Sequence, residues 1–283
     1  MIVRVPASSA NLGPGFDALG IALTIYADVI VDAGAASVGD KAQLVDAHHP
    51  ATVAFRRGGG KGDVWVRSSI PVGRGMGFSG AMRVGGVVAA HAQRNGDDPD
   101  RLRDALPDLL RIATELEGHA DNAAASLYGG IVATAAGYAI RIPIGFEPAM
   151  VLWVPSSATS TDESRRKLPD PLPLADAVHN IGRTALLVAA LATGDVGALR
   201  AATEDRIHQE IRLQQAQPSR DALAAALDAG AWAAWLSGSG PSIAVMCAAD
   251  EAVTIETALP ADGRSMILGI DRVGALMLRR RDD

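Results

Sequence analysis

The chain has 283 residues, 48% hydrophobic and 20% charged, with a formal net charge of −6: enough apolar material to bury a full core, and the wrong sign for a protein that lives on nucleic-acid phosphates. A single cysteine, Cys247, excludes an internal disulfide and any zinc site built on several cysteines; it fits a reducing compartment, so the expected location is the cytoplasm. The opening residues lack a basic stretch followed by an apolar one, and no run of about 18 apolar residues occurs, so neither a signal peptide nor a membrane span is expected.

Residues 2–5 predict a short strand stopped by Pro6, and residues 21–31 a longer one. Between them, 7–20 carries Asn11, Gly13, Pro14, Gly15 and Gly20, which is loop chemistry. Residues 34–62 are weakly patterned, with a short ordered piece expected over 52–57 before Gly58-Gly59-Gly60. Residues 63–69 alternate and predict a strand; 79–94, free of proline and rich in small apolar residues, predicts a buried helix opened by a glycine loop. A helix is expected over 101–117, split or restarted by Pro107, and strands over 129–136 and 149–154. Helices follow over 174–193, 196–213 and 219–227, separated at Gly194 and Pro218. Strands over 232–236, 242–246 and 266–268, a helix over 251–259 and a last strand over 275–279 complete the chain. Strand and helix mix without strict alternation, which predicts an α+β fold of two lobes sharing a cleft. The polar, proline-bearing segment 155–173 divides it into residues 1–155 and 156–283.

Lysine occurs only at Lys41, Lys61 and Lys167, so 23 of the 26 basic residues are arginine. Anion binding therefore falls to arginine, backbone N–H groups or a metal. In Ile70-Pro71-Val72-Gly73-Arg74-Gly75-Met76-Gly77-Phe78-Ser79-Gly80-Ala81 a strand runs through a glycine-rich loop into a helix. Such a loop lets backbone N–H groups close around a phosphate, and Ser79 can offer its hydroxyl to phosphate or magnesium; a tight strand–helix connection is the plainer reading. It is not a Walker A loop, for it lacks Gly-Lys-Ser/Thr. Ser237-Gly238-Ser239-Gly240-Pro241-Ser242 is a hairpin turn or a second backbone clamp. Glu117-Gly118-His119-Ala120-Asp121-Asn122 is a helix junction with capping residues or a metal and substrate site, and Asn11 and Asp17 lie on a loop between strands, a common place for binding groups.

Together these segments resemble the GHMP kinase superfamily, and within it the homoserine kinase family. Ser9-Ala10-Asn11-Leu12-Gly13-Pro14-Gly15-Phe16-Asp17 is similar to its opening signature, and Pro71 to Ala81 to its phosphate loop. Glu117 to Asn122 is similar to its Glu-Gly-His-Pro-Asp-Asn block, and Leu236 to Ser242 to its C-terminal glycine motif. Thr161-Asp162-Glu163-Ser164-Arg165 and the stretch from Ala202 to Arg212 resemble its remaining two segments. The resemblance runs in order from residue 2 to about 248. It implies the two-lobed GHMP kinase fold, an N-terminal lobe with a left-handed βαβ element and a ferredoxin-like C-terminal lobe. It implies ATP on Pro71 and on Gly73 through Ala81, that is Gly73, Arg74, Gly75, Met76, Gly77, Phe78, Ser79, Gly80 and Ala81. It further implies magnesium on Ser79 and one of Glu115 or Glu117, with Glu117 preferred. L-Homoserine would meet Asn11, Asp17, His119, Asp121, Thr161 and Gly238, with its carboxylate on Arg165 and Arg212; Asp17, Asp121 and Asn122 are the catalytic candidates. The implied reaction is ATP-dependent phosphorylation of L-homoserine on the route to threonine; no nucleic-acid or membrane partner is expected, and a homodimer is one option for the assembly. The alternatives are a kinase for another small hydroxylated metabolite such as L-threonine, or a weakly catalytic ligand-binding protein on the same fold. Two features depart from the family pattern: Phe78 stands where the loop usually carries serine, and the stretch 34–66 is short.

Overall fold

Val3 and Val5 of β1 (Ile2–Ala10) turn into the core while Arg4 faces outward, the alternation that sets one face of a sheet against helices. The computed structural model describes residues 1–32, 41–157, 161–166 and 168–278, with the side chains of 161–163 outside that description. β1 pairs antiparallel with β2 (Leu19–Ile30) and runs on past Pro6, where the expected strand stopped. The reason is local: the register shifts between Pro6 and Ala7, and β1's other neighbour reaches only Ile2 to Arg4, so the missing N–H of Pro6 breaks no ladder on that side.

The chain continues through β3 (Gln43–Leu44), α1 (Pro50–Arg57), β4 (Trp65–Ser68), α2 (Phe78–Asn95), α3 (Pro99–Glu117) and α4 (Asp121–Tyr128). β5 (Ile131–Ala135), β6 (Tyr138–Ile142), β7 (Ala149–Pro155), α5 (Thr161–Arg166), α6 (Leu174–Thr193), α7 (Val196–Ala202), α8 (Gln209–Leu213) and α9 (Gln217–Asp228) follow. β8 (Ala233–Leu236), β9 (Ile243–Cys247), α10 (Ala252–Ala258), β10 (Gly263–Leu268) and β11 (Leu276–Leu278) close the described chain. The first sheet runs β11-β1-β2-β4-β3, with β5 on β2 and β6 on β5; the second runs β10-β7-β9-β8. β11 brings the end of the chain back beside β1. Among the described residues every strand pairing is antiparallel. Among the described residues no helix is long and apolar enough to cross a membrane.

α2 is the buried helix its composition predicts, packed on α1, α3, α4 and the first sheet. Its glycines permit the approach: a Cβ on Gly86 would overlap the Ala51 carbonyl of α1. Two expectations are corrected. Pro107 does not divide α3, because Pro107 and Arg103 both lie on the solvent face, where the carbonyl that loses its helical donor reaches water. Residues 196–213 are not one helix but α7 and α8, separated by a turn that Asp205 organises. The hairpin partner β6 and the two-residue β3 were not expected; Gly137, at φ 84°, supplies the turn into β6.

Candidate active site

A cleft of about 380 Å³ opens where the β1–β2 loop, the glycine loop before α2, the α3–α4 junction and the β8–β9 turn converge. The β1–β2 loop is held in an unusual backbone state, with Asn11 at φ 73°, Leu12 at 49° and Asp17 at 57°. Asn and Asp tolerate this region better than other non-glycine residues. Asn11 locks the loop: its Oδ1 accepts from the Asp17 N–H (3.1 Å) and its Nδ2 donates to the Gly238 carbonyl (3.1 Å).

The turn between α7 and α8 braces this loop from behind. The Asp205 carboxylate accepts from the N–H groups of Ile207, His208 and Gln209 and from Asn180 Nδ2. A side chain that satisfies these donors replaces helical backbone bonds, which is why the predicted single helix breaks here. His208 and Arg212 then stand one turn apart on the same side of α8. Burial pushes the His208 pKa down to about 4, so the ring is neutral. Its Nε2–H donates to the Gly13 carbonyl (2.8 Å), and Nδ1 accepts from Arg212 Nη1 (3.1 Å). Arg212, 9% exposed, also donates to the Gly238 carbonyl (3.1 Å), while its Nε has no partner and the residue lines the cleft. Burial, then the nearby Arg165, lower its pKa to about 10, which leaves it charged at neutral pH. The guanidinium groups of Arg165 and Arg212 lie 5.2 and 5.4 Å from the Phe16 ring centre. Arg165 grips Asp17 with two 2.7 Å bonds, so these two predicted substrate residues hold each other.

Gly73, Gly75 and Gly77 of the glycine loop all have positive φ. A Cβ on Gly75 would overlap the Ser237 carbonyl, and one on Gly77 the Ser8 hydroxyl, so these two positions fit only as glycine. Ser237 Oγ donates to the Gly75 carbonyl (2.6 Å), joining the two glycine motifs. Gly77 is the N-cap of α2 and no side chain caps the helix, so its first N–H groups remain for an anion. Arg74 donates to the carbonyls of Pro155 (3.1 Å) and Ser156 (2.6 Å), tying the loop to the end of β7. Met76 lines the cleft yet is almost wholly buried, Gly80 packs on Asn122, Ala81 is core, and Pro71, Gly80 and Ala81 do not line the cleft. Phe78 meets the His49 ring edge-on (centroids 6.0 Å apart) and lines the cleft along with Pro50 and Val72.

Ser79 Oγ donates to Glu117 Oε2 (2.8 Å). Glu115 is turned away onto Arg57 and Arg111, as two residues' separation on a helix requires. His119 Nδ1 lies 2.7 Å from Oδ1 of Asp121, which also accepts from the Asn122 N–H (2.7 Å). That hydrogen bond raises the His119 pKa against the opposing effect of burial. Asn122 Oδ1 accepts from the Ser8 hydroxyl (2.9 Å). Donor atoms of Asp17, His119 and Asp121 all lie within 4.8 Å of one another. The cleft thus gathers Asn11, Asp17, Ser79, Glu117, His119, Asp121, Asn122, Arg165, Arg212 and Gly238; the Thr161 side chain lies outside the described residues. The sequence reading missed Arg83, whose Nε lies 2.7 Å from Glu117 Oε2, although its spacing of four from Ser79 places both on one helix face. It also left His208 without a role.

Comparison with known proteins agrees with this geometry. Residues 44–130 match the GHMP kinases N terminal domain, and residues 187–265 the GHMP kinases C terminal domain. The chain is 41% identical to a homoserine kinase of Streptomyces coelicolor, across 98% of this chain and 94% of that one. It is 37% identical to a homoserine kinase of Thermus thermophilus, across 94% of each. The crystal structure of homoserine kinase from Cytophaga hutchinsonii superimposes with a TM-score of 0.82 at 26% identity, covering 97% of this chain and 96% of that one. Full-length similarity at this level, on a fold that brings the two glycine motifs to one cleft, establishes that the chain belongs to the GHMP kinase family, on its homoserine kinase branch.

Proposed function

We infer that this enzyme transfers the terminal phosphoryl group of ATP to the side-chain hydroxyl of L-homoserine, giving O-phospho-L-homoserine and ADP, and that it works in the cytoplasm. The observation that carries the reading is that one cleft gathers two kinds of group. One is an uncapped helix N-terminus behind a glycine loop; the other is a buried arginine together with the Asp17–His119–Asp121 group. The first suits phosphates and the second an amino acid, which needs a cation for its carboxylate and anionic or neutral acceptors for its ammonium and hydroxyl.

Phosphoryl transfer asks a protein chiefly to position the reactants and to stabilise charge. The ATP phosphates lie on the loop from Gly73 to Ser79 and the first turn of α2. Ser79 and Glu117 present hard oxygen donors 2.8 Å apart, a set that fits magnesium, which usually takes one or two carboxylates together with substrate phosphates. Ser79 and Glu117 would hold such an ion, which would supply positive charge against the negative charge that develops on the transferred group. The guanidinium of Arg212, which lines the cleft, takes the substrate carboxylate, and Arg165, now on Asp17, stands near enough to share it. Asp121 fixes His119 through the 2.7 Å contact and leaves its second oxygen for the attacking hydroxyl. Asn11 and Gly238 set the loop on which Asp17 sits.

The test is a comparison of L-homoserine with 3-aminopropan-1-ol, its decarboxylated analogue, as phosphoryl acceptors. The analogue is expected to be a poor acceptor. Equal phosphorylation of the two would overturn the amino-acid reading in favour of a simple alcohol kinase.

A further inference from the structure

Glu117 is the last residue of α3, where the helix dipole is negative and an acidic side chain is disfavoured. The last turn of α3 holds no basic residue to offset it. The offset comes from α2 instead. Arg83 Nε sits 2.7 Å from Glu117 Oε2, the same oxygen that accepts from Ser79. The two side chains are 22% and 11% exposed, so solvent screens the pair weakly. Glu117 lines the cleft and Arg83 does not. The N–H of Arg83 Nε is not aligned on any acceptor, so the contact is an ion pair rather than a directed bond, open to rearrangement when a stronger cation arrives.

We propose that Arg83 is a positioning residue that pins the Glu117 carboxylate at Ser79 and screens its charge, so that the free enzyme binds a divalent cation weakly until nucleotide phosphates supply further ligands. The inference rests on the assignment of Glu117 to the metal. A guanidinium already on the carboxylate competes with a cation for it and repels that cation across a few ångströms. Phosphate oxygens tip the balance, since they add negative charge and ligands that the free protein lacks. Arg83 thereby favours loading of the ion together with nucleotide over loading of the ion alone, and keeps the carboxylate ordered meanwhile.

The experiment measures Mn²⁺ binding, by the electron paramagnetic resonance of the free ion, to the intact chain with and without a non-hydrolysable ATP analogue. Arg83→Met is expected to tighten Mn²⁺ binding to the nucleotide-free protein on the order of tenfold, with a smaller gain in the presence of the analogue. Arg83→Lys, which keeps the charge, is expected to stay near the unmodified protein. Arg83→Gln repeats the first variant should methionine disturb folding, with thermal melts as the check. Unchanged or weaker binding in the neutral variants overturns the role of Arg83. Glu117→Gln separates the two layers of the argument. If it weakens Mn²⁺ binding while the Arg83 variants do nothing, only the inference fails; if it too does nothing, the metal assignment falls and the inference with it.

Discussion

Replacing Arg212 by leucine removes the cation on which the proposed amino-acid end of the cleft depends. The residue is 9% exposed, carries its charge with a pKa of about 10, and lines the cleft. A lost hydrogen bond to a charged group costs about 1.5–3 kcal/mol. At about 1.4 kcal/mol per tenfold, the KM for L-homoserine rises roughly ten- to hundredfold. The variant also strips partners from the Gly238 carbonyl and His208 Nδ1, each 3.1 Å from Nη1, so some stability goes with it. Steady-state kinetics with each substrate varied in turn, alongside thermal melts, separates the effects. The KM for ATP is expected to rise less than that for L-homoserine, since Arg212 meets the glycine loop only through Gly238, which packs against Gly75, and Arg212→Lys is expected to fall between the variant and the unmodified protein because it restores charge without the fork. An unchanged homoserine KM in a folded protein, or an equal rise in the KM for ATP, would refute the assignment.

Ser79→Ala removes the hydroxyl that donates to Glu117 and is expected to lower kcat at least about tenfold, with little change in the homoserine KM; unchanged turnover at saturating magnesium contradicts its role. Phe78→Ser is expected to raise the KM for ATP and lower the melting temperature, because the ring lines the cleft and packs on His49; tighter ATP binding would contradict this. His208 has a folded pKa of about 4 against about 6.5 unfolded, so the unfolded chain binds more protons between those values and the histidine's stabilisation, complete above pH 6.5, is lost as pH falls through 4. Denaturant titrations from pH 7 to 4 should show that loss in the unmodified protein and a shallower one in His208→Gln.

Much of the candidate site was legible because it is made of local segments with strict backbone demands. Gly73, Gly75 and Gly77 take positive φ, and Asn11 and Asp17 do so beside them, and these are residue types that stand out in sequence. α2 was legible for the opposite reason, a run of small apolar residues with no breaker. What escaped depends on partners remote in sequence. Pro6 was read as a stop, but whether a proline ends a strand depends on which neighbours it has, and β11 comes from the far end of the chain. Pro107 was read as a break because its exposure was not visible. The break between α7 and α8 hangs on Asp205, whose side chain also answers to Asn180, 25 residues away. Arg83 carries no local signal, since its partner Glu117 lies on another helix.

The most direct test is a coupled ADP-release assay on the purified chain with ATP, magnesium and, in parallel, L-homoserine, L-threonine, L-serine and mevalonate. ADP release is expected with L-homoserine far above the rate without acceptor, matched mole for mole by O-phospho-L-homoserine, and with kcat/KM at least about tenfold above that for the other acceptors. Release that does not depend on L-homoserine, or a higher kcat/KM with L-threonine or mevalonate, would contradict the account.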